Sequence, residues 1–168
     1  MRRILIALFI LASASGLRAA DVEFVRVWPG WRTADSFTKI SEYFTGREPP
    51  GDSVVERTHP AYRAGYYFVA RIKHPKTAVV GAKFLLHIIL PASPTPKVFI
   101  FSANAPLGTN LFELGLTGAD WPLRSTRPVA WMLELVSADG HQLAAKESFL
   151  WSKPDKVPQP IPPPTSDN

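Results

Sequence analysis

The chain has 168 residues, of which 46% are hydrophobic and 17 are proline, and it contains no cysteine. Disulfide staples, thiol nucleophiles and cysteine–metal sites are therefore excluded, and a packed core must supply the stability. Nineteen basic residues face 14 acidic ones, net +5, but Arg2, Arg3 and Arg18 lie in the first 19 residues; without them 16 face 14, net +2. That dispersed balance excludes a phosphate-tracking nucleic-acid protein.

The opening MRRILIALFILASASGLRAADVEF has a short basic start, an apolar run from Ile4 to Leu11, and small residues up to Ala19. This is the pattern of a secretory signal peptide, cut after Ala19, with Ala14 and Ala20 as alternative sites. The run is too short to span a bilayer, so no stable membrane span is expected after cleavage. The expected destination is the bacterial periplasm, with the extracellular space as the alternative. At the other end, six of the eleven residues from Pro154 to Pro164 are proline. Proline removes backbone donors and fixes φ, so residues 154–168 are read as a disordered tail. One domain remains, residues 20–153.

Asp21 to Trp28 (DVEFVRVW) reads as a strand stopped by Pro29-Gly30. Thr33 to Gly46 fits either a short helix or short strands, and REPPGDSV (residues 47–54) reads as a turn-rich break. Gly65 to His74 alternates cleanly, with Tyr66, Phe68, Ala70 and Ile72 on the core face and Tyr67, Val69, Arg71 and Lys73 on a wetter one. Lys83 to Leu90 is apolar on both faces, as a central strand is. Pro91 and the SPTP run (residues 93–96) end it. Lys97 to Ser102, Leu111 to Leu116 and Val129 to Ser137 follow as strands, separated by the loops NAPLGTN and TGADWPLRSTRP. Ala138-Asp139-Gly140 suits a tight hairpin turn. His141 to Trp151 then returns, with a bulge near Ala144-Ala145 and Phe149 and Trp151 sharing a face. About seven strands separated by Pro/Gly turns predict an all-β fold: an immunoglobulin-like antiparallel β-sandwich with at most one short helix. A small closed barrel is the competitor.

Catalytic spacing is weak throughout. His59, His74, His87 and His141 have no zinc-ligand spacing, and no cofactor motif is present. His87 reads as a hydrogen-bonded core or inter-sheet histidine. Asp139 and His141 read as turn residues, since neighbours in a tight turn do not build a nucleophile–base–acid array. Glu113 and Glu134 would resemble a glycosidase pair only if their strands paired; otherwise each should be edge-exposed or bonded to an Arg or Lys. Glu56 to Tyr67 reads as a solvated approach to a strand.

The aromatics carry the binding expectation. Trp28, Trp31 and Arg32 are expected around one turn, and Trp121 in a second loop. Such residues cap a core, anchor a protein interface or stack on a sugar. The sequence therefore predicts a noncatalytic exported domain that binds an envelope or exported protein, or contributes to an envelope assembly. The alternative is a carbohydrate-binding or carbohydrate-active domain. A flat aromatic patch continuous with a sheet edge favours the first. A concave site holding one of the tryptophans beside a carboxylate favours the second.

Overall fold

A computed structural model describes residues 22–37, 53–74, 79–105 and 107–152. The expected signal peptide, most of the Thr33–Gly46 segment and the proline-rich tail lie outside the described residues.

The described residues form eight strands: β1 (Glu23–Arg32), β2 (Ser53–Arg57), β3 (Gly65–His74), β4 (Val79–Leu90), β5 (Ser93–Ala105), β6 (Gly108–Thr117), β7 (Ala130–Val136) and β8 (Gln142–Glu147). They form two four-stranded sheets. The first has the order β1-β3-β6-β2 and the second β5-β4-β7-β8. Every pairing is antiparallel except β2 with β6, which is parallel. The sandwich-like, all-β expectation is met with one more strand than the sequence suggested. The additional strand is β2, hidden at the end of the run read as a break.

The alternation in β3 and β4 builds the core. Phe68, Ala70 and Ile72 from the first sheet, and Phe84, Leu86 and Ile88 from the second, are fully buried. Phe84 packs edge-on against Phe112 of β6, ring centroids 4.9 Å apart. Each large side chain removed from water contributes roughly 1.5–3 kcal/mol, which is how a chain without disulfides meets its entropy cost. β4 is central, as its two-faced apolar pattern requires.

One expected stop is not a stop, and one expected turn is shorter than read, although β4 does end at Leu90, before Pro91. Pro29 and Gly30 lie inside β1, and the SPTP run begins β5. Both are edge strands, paired on one side only, so a missing proline N–H can face away from the ladder. The last expected strand is also shorter than read. β8 ends at Glu147, and the chain turns through Ser148–Ser152, with the Trp151 N–H donating to the Ser148 carbonyl at 3.0 Å. Phe149 is 80% exposed and Trp151 half-buried, so they do not share a strand face. The bulge in β8 falls at Leu143, which the β7 register skips.

The wet face expected for Tyr67 and Val69 is instead a second apolar layer. A 3-10 turn, Ala34–Phe37, follows β1 and lays Phe37 on Tyr67, centroids 4.7 Å apart. Phe37, Tyr67 and Val69 are buried there, with Trp28, Val55 and Leu111 packed around them. Gly115 makes room: a Cβ on it would strike the Tyr67 ring. No helix among the described residues is long and apolar enough to cross a membrane.

Candidate functional site

Trp28 and Trp31 are three residues apart on one extended strand, so they point to opposite faces. Trp31 packs against the main core, and Trp28 against the outer layer of the first sheet. The shared turn expected for them does not exist. The structure instead brings Trp31 and Trp121 to one residue. Trp31 is the cross-strand neighbour of Tyr66, and Trp121 stacks on the Tyr66 ring at 4.7 Å and 26°. Trp121 is 3% exposed, and its indole N–H has no hydrogen-bond partner among the described residues. These two tryptophans cap the core.

Trp28 and Arg32 remain on the outer face of the first sheet. Arg26 and Arg71 are direct cross-strand partners there. Their guanidinium carbons lie 5.1 and 5.6 Å from the centroid of Trp28. Like charges placed opposite one another disfavour the pairing, and the ring's negative face offsets part of that repulsion. Neither guanidinium is bonded to a carboxylate among the described residues. Both arginines are exposed, while Trp28 between them is half-buried.

Arg32 is a different case. Its Nη1 donates to Glu113 Oε2 at 2.6 Å, and Ser53 Oγ donates to the other oxygen at 2.9 Å. Glu113 is 8% exposed. The guanidinia of Arg32 and Arg57 both lie over Phe37, at 5.6 and 4.9 Å, and the Arg57 Nε donates to the Tyr67 hydroxyl at 2.9 Å. These arginines fasten the outer layer.

The Glu113–Glu134 pairing does not occur: β6 and β7 belong to different sheets. Glu134 bonds His87 Nε2 at 2.7 Å on the outer face of the second sheet. His87 is therefore a hydrogen-bonded surface histidine and not a core one, because its neighbours Leu86 and Ile88 take the inward positions. Ser137, Asp139 and His141 do gather in the β7–β8 turn. The Ser137 hydroxyl donates to Asp139, and Asp139 lies 3.3 Å from His141 Nε2. The acid sits between the hydroxyl and the imidazole, the reverse of the order nucleophilic catalysis needs. The Ser137 hydroxyl, backbone hydrogen bonding and the His141 charge hold the Asp139 carboxyl below its ordinary value. No cluster of three metal-ligating side chains exists among the described residues.

A cavity of about 660 Å³ opens at one end of the sandwich, between the β4–β5 turn and the loop carrying Trp121. Its charged lining is Lys97, Asp120 and Arg127. Asp120 Oδ2 is 3.2 Å from His59 Nε2. Arg127 covers the Tyr66 ring at 5.7 Å, and burial pushes the Tyr66 phenol above its ordinary value, with the Arg127 charge opposing. Thus Glu56–Tyr67 does more than approach β3: it supplies His59 to the loop beside this cavity.

The sequence reading missed Arg26, Arg71 and Phe37. One signal was available: Arg26 and Trp28, two apart on a strand, share a face. Nothing local pointed to Arg71, whose strand partner is distant in sequence. No protein-family model matches the chain, and no match was found among curated proteins.

Proposed function

We propose that this chain is a noncatalytic, exported interaction domain of immunoglobulin-like fold. It binds an acidic protein partner, in the periplasm or beyond, through the outer face of the first sheet. The topological part of the reading rests on strand order. With β2 set aside, β1-β3-β6 and β5-β4-β7-β8 follow the A-B-E and C′-C-F-G orders of an immunoglobulin-like sandwich.

One observation carries the functional part: Trp28, half-buried on edge strand β1, lies beneath two exposed arginines that no carboxylate neutralises among the described residues. Trp and Arg are among the residues that dominate interface energetics, typically as a central aromatic or Arg anchor inside a polar rim. The patch is continuous with a sheet edge, the form expected of a protein contact. The noncatalytic reading is supported by the separation of Glu113 from Glu134 and by the order of groups in the Ser137–His141 turn. A carbohydrate site is less well supported. The cavity holds Trp121 and Asp120, but Tyr66 covers a face of the indole, and Trp121 as a whole is only 3% exposed.

The test is site-specific photo-crosslinking in cells that express the protein. A photoreactive residue at position 26 or 71 should give a discrete protein adduct. The adduct should vanish with Trp28→Ala and be absent from position 95, exposed on the other sheet. Equal adducts from all three positions, or none from 26 and 71, would sink the reading.

A further inference from the structure

The cavity beside Trp121 is a separate matter from the Trp28 face. At about 660 Å³ it falls in the size range of small-molecule sites, roughly 300–1,000 Å³. Its walls are chemically divided. Leu90, Pro91, Trp121 and Pro122 supply apolar surface, and Lys97 and Arg127 supply two cations. The opposing carboxylate, Asp120, is already engaged with His59. No carboxylate is bonded to Lys97 or Arg127 among the described residues.

Arg127 is also held in position. Its Nη1 donates to the carbonyls of Arg124 at 2.7 Å and Thr126 at 3.0 Å, while the guanidinium lies over Tyr66. A guanidinium already anchored by its own loop loses little freedom when an anion arrives, and its other N–H groups retain their fork geometry. The wall further contains Trp121, whose buried indole N–H lacks a partner among the described residues.

We propose that this cavity binds a small amphipathic anion. The aliphatic body lies against Leu90, Pro91 and Pro122, and a carboxylate or phosphate monoester head lies between Arg127 and Lys97. Two cations against one engaged carboxylate disfavour a cationic ligand. The stacking of Tyr66 on Trp121 disfavours a sugar, which needs an open ring face.

Calorimetric titration of the purified protein with decanoate, decyl phosphate and decanol tests the idea. At least one of the two anions should bind saturably, and about tenfold or more tightly than the alcohol, as expected for loss of a charge-assisted contact. A preference for decanoate indicates a free carboxylate as the source, and a preference for decyl phosphate a phosphate-bearing lipid. The pair Lys97→Gln and Arg127→Gln should remove that advantage while leaving the urea midpoint nearly unchanged. Ala92→Trp, which fills the cavity with both charges intact, should abolish binding; Trp28→Ala, on the other face, should not alter it. Equal binding of all three compounds, anion binding that survives either cavity variant, or no saturable binding would overturn the proposal.

Discussion

The outer faces of the two sheets start from the same kind of strand and end differently. On the first, Tyr67 is fully buried beneath Phe37, and Val69 lies 8% exposed beside it. On the second, Leu85, His87 and Met132 are half-buried, while Val98 and Ile100 are 50% and 63% exposed. The strands alone do not explain this. The difference is a four-residue 3-10 turn that leaves edge strand β1 and folds back across its own sheet. A sheet face becomes a second core when side chains from outside the sheet reach it. Arginine guanidinia stacked on Phe37 and bonded to Tyr67 and Glu113 then secure the cover.

The comparison breaks most easily at its centre. Tyr67→Ala should lower the unfolding free energy by about 3–5 kcal/mol, as for other fully buried aromatics. Leu85→Ala on the opposite face should lower it by about 1 kcal/mol, since a half-buried leucine gains only part of the ~1.5–3 kcal/mol of full burial. Urea denaturation measures both, and equal losses would show that the two faces are energetically alike.

A smaller contrast concerns the two glutamates. Glu113 accepts bonds from both Arg32 and Ser53, whereas among the described residues Glu134 bonds His87 alone. Glu113→Gln should therefore destabilise by about 2 kcal/mol and Glu134→Gln by about 1 kcal/mol. The Arg32 side chain is 35% exposed, so solvent screening sets the first value well below that of a fully buried pair. A double-mutant cycle with Arg32→Gln isolates the ion pair.

The smallest effect distinguishes the sheets by sign. Burial raises the Glu56 carboxyl on β2 above its ordinary value of 4.5. Its contribution is present at acid pH and is lost as pH rises through the elevated value, so Glu56→Gln should help most at neutral pH. Asp139, in the β7–β8 turn, is held below its ordinary value of 3.8. Its contribution is present above that value and is lost as pH falls through the depressed one, so Asp139→Asn should flatten the acid limb. Urea midpoints between pH 2 and 7 should shift in these opposite senses; parallel shifts would contradict the assigned environments.

Much of this architecture is legible in the sequence because alternation is a local signal. β3 and β7 fall where their apolar period places them, β4 covers its expected apolar run and begins four residues earlier, at Val79, and Ala138-Asp139-Gly140 forms the expected hairpin, with Gly140 at φ +89°. Edge status is not local. Pro29 reads as a stop until β1 is seen to pair on one side alone, and that misreading placed Trp28 and Trp31 around a turn. The parallel pairing of β2 with β6 joins Ser53 to Leu111, a separation no short window spans. The Trp121–Tyr66 stack and the Arg26–Arg71 juxtaposition are equally tertiary. The sequence offered the aromatic and arginine residues, but it could not sort them by sheet.

The prolines on the outer strands bear on behaviour at high concentration. Each sheet has one long edge, and each long edge contains proline: Pro29 in β1, Pro94 and Pro96 in β5. The other two edges, β2 and β8, are five and six residues long. An unpaired strand is a template on which a second chain can add and begin an intermolecular ladder. Interrupted donors on the long edges and brevity on the short ones deny that template. The sandwich can thus keep a half-apolar second face in solvent while resisting growth into fibrils from its margins.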